Sequence, residues 1–220
     1  MTQRNIILEL VDFDDLARTS VKMAKIMNLV RPEVVALPLR SGVVAGNLTM
    51  EAMRSALEIK ADEYDPAIFP VVLKYNSAQP ESRCQINQIH ETLGNNDFKS
   101  IYPDFRKMMI IDYTICGESV SSYLCAIKDN LSAFGKVHVN LMASDRSFKQ
   151  EREFGYYDHF SNKNLQIYFN RLKSPEIVFD NQDRILGLTC TECYDYVPMA
   201  VQESKTFYRN FKKALDNIKD

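Results

Sequence analysis

Two stretches of this chain, "EVVALPL" over residues 33–39 and "KMMIID" over 107–112, carry unbroken apolar runs, and each leads into a short polar turn followed by a helical pattern. A strand wetted on one side alternates polar and apolar residues, whereas an unbroken apolar strand is covered on both faces. Strands of that kind belong to strand–turn–helix units. The expected fold class is therefore α/β: a mostly parallel sheet flanked by helices.

The remaining elements are read around these two. Asp12, Asp14 and Asp15 suit the start of a first helix near Asp14, and Leu16, Met23, Ala24 and Met27 recur on one of its faces until Pro32 ends the pattern. "VVAGNLTMEAMRSALEI" predicts a helix beginning just after Ser41. "AIFPVVLKY" predicts a second strand, starting after Pro70. The polar stretch from Asn76 to Asp104 is expected to be a functional loop. Val120, Tyr123, Leu124, Ile127, Leu131 and Phe134 share one helical face, with Gly135 as the stop, and "KVHVNLMA" predicts a fourth strand. From Ser144 the pattern changes. Short apolar pieces ("LQIYF", "EIVF", "ILGLTC") predict short strands or a small cap, closed by a helix from about Gln202 that buries Phe207, Phe211, Leu215 and Ile218. The expectation is a single domain over 1–220, with a core over about 1–145 and a hood and C-terminal helix over about 146–220.

Charge narrows the partners. The 27 basic and 29 acidic residues give a formal net charge of -2 with no long run of either sign, which points away from nucleic acid and from a membrane surface. The apolar run at the N-terminus is too short for a signal segment. Five cysteines in no regular framework read as free thiols in a reducing compartment, so a cytoplasmic location is expected. Cys190 and Cys193 form one C-x-x-C pair, two ligands short of a zinc site.

The chemistry-bearing stretch is "MMIIDYTICGESV" over 108–120. Asp112 closes the apolar run, and Thr114, Cys116, Gly117, Glu118 and Ser119 surround the turn ahead of a helix, where N–H groups and the helix dipole favour an anion. Asp112 equally suits a cap for that turn. Cys116 lies where a thiolate is favoured, but His90, His138 and His159 are scattered, and a nucleophilic cysteine needs such a partner. Arg40, Ser41 and Gly42 form the earlier turn and supply a cation, a hydroxyl and a flexible backbone. A flavodoxin-like or response-regulator-like sheet is disfavoured, since the first strand ends without an acid cluster or a hydroxyl-rich loop.

"LPLRSG" followed, after a long loop, by "MMIIDYTICGES" resembles the type I phosphoribosyltransferases in the order of elements over about 30–145 and in these two short stretches. The resemblance implies binding of phosphoribosyl pyrophosphate (PRPP) with Mg2+ and transfer of the phosphoribosyl group to or from a nucleobase or related small molecule. Residues 114 and 116–119 would hold the 5′-phosphate, and Arg40, Ser41 and Gly42 the pyrophosphate. Asp112 and Tyr113 stand at the signature's two acid positions. Asp112 would meet the ribose hydroxyls or Mg2+ through water. The resemblance also implies a hood that selects the base, to which Tyr194 and Tyr196 belong, and a mobile basic loop at Lys74, Tyr75 and Arg83. Relatives of this kind are often homodimers. The chain departs from the signature in three ways: a phenol replaces the second acid, the loop is one residue short, and Glu118 replaces a glycine. These departures motivate an alternative, a catalytically impaired member acting as a nucleotide or phosphate sensor or as a protein-interaction subunit.

Overall fold

The acids that cap the first helix in the sequence do so in space. Helix α1 (Phe13–Val30) has Asp12 as its N-cap, whose side chain accepts a hydrogen bond from the Asp15 N–H at 2.9 Å, with Asp14 and Asp15 in the first turn. Leu16, Ala17, Met23, Ala24 and Met27 are buried along one face. The helix ends at Arg31, which adopts a left-handed backbone (φ 50°) and donates its N–H to the Met27 carbonyl at 2.9 Å. Pro32 follows, and its carbonyl accepts from the Tyr64 hydroxyl at 2.7 Å.

These features come from a computed structural model that describes residues 10–39, 41–72, 107–114, 136–143, 156–165, 175–179, 185–190 and 197–219. Strand β1 (Val34–Leu39) leads into α2 (Ser41–Ser55), and β2 (Ala67–Val72), β3 (Lys107–Thr114), β4 (Lys136–Ala143) and β5 (Tyr156–Ser161) follow. The five strands form one all-parallel sheet in the order β2-β1-β3-β4-β5. Strands β6 (Pro175–Phe179) and β7 (Ile185–Cys190) form a separate antiparallel pair, and α3 (Val197–Lys219) closes the chain. Helices α1, α2 and α3 pack on one another, and α1 and α2 lie on the sheet. The chain is thus an α/β protein with a five-stranded parallel sheet flanked by helices. No described helix is long and apolar enough to cross a membrane.

Strand β3 explains why its sequence was unbroken. Met109, Ile111 and Tyr113 join the core shared with the helices. Met108, Ile110, Asp112 and Thr114 alternate with them on the opposite face and are buried too. Phe207 and Phe211 of α3 are also essentially fully buried in the helical core, each worth roughly 1.5–3 kcal/mol of apolar burial.

Four expectations need correction. Strand β2 starts at Ala67 and contains Pro70. The Ala67 N–H donates to Glu33 of the neighbouring strand, so by alternation the position of Pro70 points to the free edge, where a missing N–H breaks no ladder bond. Strand β3 continues two residues past Asp112, because its pairing with β4 runs on to Thr114–Ala143. Helix α3 starts at Val197, five residues before its apolar stripe suggested, since Pro198 is tolerated in a first turn. Finally, the sheet gains β5 from a stretch beyond residue 145 that was assigned to the hood.

Beyond β5 the chain is tied back to α1. Asn162 Nδ2 donates to Asp15 Oδ2 and to Thr19 Oγ1, both at 2.9 Å, and Asn164 Nδ2 donates to Asp15 Oδ2 at 3.0 Å. Asn164 Oδ1 accepts from the Asp12 N–H at 2.8 Å, and Asn162 Oδ1 from the Asn164 N–H at 2.9 Å. Buried asparagines thus pair groups at one helix start with the segment that follows β5. The helix expected over 120–134 lies outside the described residues, as does the whole of the loop expected over 76–104.

Candidate functional site

The sheet opens at one place. Strand β1 stays paired with β2 to Leu39–Val72, and β3 with β4 to Thr114–Ala143. Between β1 and β3, pairing stops at Ala36–Ile110. The strand order reverses at this same boundary, with β2 on one side and β3, β4 and β5 on the other. In open parallel sheets, the carboxyl ends of the strands at such a reversal form the crevice where ligands bind. Pro38 lies just past the last β1–β3 pair, and a residue that cannot donate to a ladder suits a strand leaving its neighbour.

The first turn of α2 fills the start of this split. A Cβ placed on Gly42 would lie 2.8 Å from the Ile111 carbonyl oxygen, 2.8 Å from Pro38 Cδ and 3.2 Å from Asp112 Oδ1. The glycine therefore serves close approach: helix backbone rests on strand backbone with no room for a methyl. Its expected flexibility is not what the fold uses, because Gly42 lies within the helix and has no positive φ. One turn on, Gly46 repeats the arrangement against Leu37, whose Cδ2 would lie 2.4 Å from an added Cβ.

Asp112 is fully buried, and its Oδ1 accepts from the Tyr113 N–H at 2.8 Å. That oxygen faces Gly42 in the first turn of α2, where a helix presents free N–H groups and the positive end of its dipole. Thr114 lies two residues on, on the same face, and is 5% exposed. The structure thus brings together the end of β1 at Pro38, the first turn of α2 at Gly42, and Asp112. Tyr113 points the other way, into the helical core, and is 3% exposed. Arg40, Cys116, Gly117, Glu118 and Ser119 lie outside the described residues, as do Lys74, Tyr75, Arg83, Cys193, Tyr194 and Tyr196. Among the described residues no group of three or more His, Cys, Asp or Glu side chains could hold a metal ion.

Two arrangements were missed in the sequence. The G-x-x-x-G spacing of Gly42 and Gly46 marks one helix face that can approach a strand closely, and it was legible in "GVVAG". The second is His138 of β4, whose Nε2 lies 2.7 Å from Asp158 Oδ2 of β5. It was hidden because Asp158 sits in "YYDHFS", which lacks an apolar strand pattern. The pair ties the edge strand to its neighbour and lies near the amino end of β4, away from the split.

No protein-family model matches this chain, and no curated protein matches it.

Proposed function

We propose that the chain is a divergent phosphoribosyltransferase-like protein of type I, with the split between β1 and β3 as its PRPP site. The observation that carries the reading is the meeting of the α2 first turn with Asp112 at the point where the strand order reverses. Both sequence stretches that resemble the family contribute to that point, one through Gly42 and the other through Asp112.

The proposed reaction breaks the bond between the anomeric carbon and pyrophosphate and forms one to a ring nitrogen of the base. It asks the protein for positioning and for stabilisation of a leaving anion. Ser41 and Gly42 begin α2, so their N–H groups are among those a helix start offers to a pyrophosphate. Asp112 is the acid offered to the ribose hydroxyls. Thr114, at the end of β3, and the sequence positions Cys116, Gly117, Glu118 and Ser119 are assigned to the 5′-phosphate. Mg2+ takes few protein ligands when water and substrate phosphates complete its shell, so the single carboxylate of Asp112 fits it. When bound, Mg2+ would offset pyrophosphate charge. In this reading the Tyr113 ring holds β3 in the core rather than touching substrate.

One observation favours the impaired reading as a second possibility. The Asp112 carboxylate is buried, holds the Tyr113 N–H and stands beside the helix start where an anion would dock. A protein so arranged can bind PRPP or a nucleotide as a sensor without turnover.

Calorimetric titration with PRPP and Mg2+, on the wild type and on Asp112→Asn, separates these readings. Binding with pyrophosphate release in the presence of a purine or pyrimidine base supports the transferase. Binding without release supports the sensor. In either case Asp112→Asn weakens binding by about tenfold, the equivalent of roughly 1.4 kcal/mol. No heat and no thermal shift at about millimolar PRPP, where even a weak complex of about -4 kcal/mol would register, sinks both.

A further inference from the structure

We propose that Gly46 is a positioning residue for the β1–β3 split, an inference that rests on reading this split as the ligand site. Gly46 is not itself among the residues assigned to ligand. It lies one helical turn beyond Gly42 on the same face of α2. A Cβ at 46 would stand 2.4 Å from Leu37 Cδ2, 2.9 Å from Cδ1 and 3.2 Å from Cγ. Carbon atoms pack best at about 3.5–4.0 Å, so a methyl at 46 forces a movement of about 1 Å in α2 or in Leu37.

Leu37 has little freedom to move. It is 1% exposed, belongs to the helical core and sits on β1 directly before Pro38. Interiors packed to crystal-like density leave few alternative rotamers for such a side chain. The helix yields instead, and a helix moves as a rod. A shift at Gly46 is carried about 6 Å along the axis to Gly42. There the backbone rests on the Ile111 carbonyl and faces Asp112 Oδ1. The Gly46–Leu37 contact therefore sets how α2's first N–H groups stand relative to Asp112.

The test uses the full chain, labelled with 15N, as wild type, Gly46→Ala and Gly46→Ala/Leu37→Val. Two quantities are read: the amide resonances of Gly42 and Asp112, and PRPP affinity by calorimetry with Mg2+. In Gly46→Ala, both resonances are expected to move and affinity to fall by roughly tenfold, the equivalent of about 1.4 kcal/mol. In the double variant, where valine withdraws the clashing methyls, both are expected to return toward wild type. The inference is overturned if Gly46→Ala keeps wild-type resonances and affinity, or if the double variant regains stability but not the Gly42 resonance. Should Gly46→Ala not fold, the double variant alone decides. A folded double variant with a wild-type Gly42 resonance supports the inference, whereas one with a shifted resonance, or one that also fails to fold, ends it. A wild type that binds no PRPP while the resonances behave as expected removes the phosphoribosyl reading and leaves the positioning role standing.

Discussion

Replacing Asn162 by alanine should cost far more stability than an ordinary surface change, and the amount follows from its partners. The side chain donates to the Asp15 carboxylate and to Thr19 Oγ1, and accepts from the Asn164 N–H. Asn162 is 2% exposed and Asn164 6%, so the N–H left behind gains little from water. A bond to a charged group is worth about 1.5–3 kcal/mol and a neutral one about 1, while a stranded buried donor costs about 1–3 kcal/mol. Asp15 keeps its bond from Asn164, and it is only partly buried, so the first term falls at its lower end. The expected loss in Asn162→Ala is about 3 kcal/mol, a large share of the roughly 5–15 kcal/mol that holds a domain together. Asn162→Asp keeps the acceptor for Asn164 but places a second carboxylate against Asp15, so it should be less stable still at neutral pH. Lys163→Ala, an exposed neighbour, should stay within about 0.5 kcal/mol of wild type. Urea unfolding followed by circular dichroism measures all three, with the slope checked for two-state behaviour. A loss below about 1 kcal/mol in Asn162→Ala, or an Asn162→Asp variant more stable than the alanine, would show that this network does not anchor α1.

Two further predictions concern single side chains. Tyr64 donates to the Pro32 carbonyl, and burial pushes its phenol well above the ordinary tyrosine range, against the opposing pull of Arg31 and Arg54. A pKa raised by folding contributes stability that is complete below the unfolded value, near pH 10, and is lost as pH rises beyond it. Tyr64→Phe should therefore cost about 1 kcal/mol at neutral pH yet lack the wild type's alkaline decline; denaturant midpoints that fall in parallel above pH 10 would contradict this. Tyr113→Asp, which restores the second acid of the family signature, should fail to fold at neutral pH. Truncating a buried aromatic alone costs about 3–5 kcal/mol, and a carboxylate in the helical core adds desolvation. A folded variant that binds PRPP more tightly than wild type would refute the placement of this side chain.

What the sequence disclosed, and what it hid, divides along physical lines. Helix α1 was legible because its caps and stripe are local. Strands β1 and β3 were legible because burial on both faces leaves no polar residue within the apolar run. Strand β5 was hidden because its polar residue is satisfied from another strand: Asp158 finds His138, a partner twenty positions away. Pro70 misled for a related reason. A proline reads as a strand breaker until the neighbour order shows that β2 is an edge. At the site, Asp112 and Gly42 were both singled out in the sequence, but their mutual contact was not. Its cause is the approach of α2 to β3, which the absence of a side chain at Gly42 allows. Asn162 and Asn164 gave the faintest signal of all, two asparagines at alternate positions after an unrecognised strand.

The departure at Tyr113 takes on a different meaning once β3 is seen to continue to Thr114. Side chains of a strand alternate, so positions 112 and 113 cannot both face the split while the strand persists. Two neighbouring acids can serve one ligand only where the strand has ended and the backbone has begun to turn. Here the ladder to β4 carries both residues, and position 113 is committed to the helical core. A large apolar ring is what such a position requires, so Tyr113 follows from the length of the strand and need not be read as the loss of a ligand. The burden of the site then falls on Asp112. Its carboxylate is held by its own neighbour's N–H and faces the start of α2, so its direction is set before any ligand arrives. A preset acid beside a preset helix start needs no second acid to orient it, and this geometry joins the structural reading of Tyr113 to the proposed binding of PRPP.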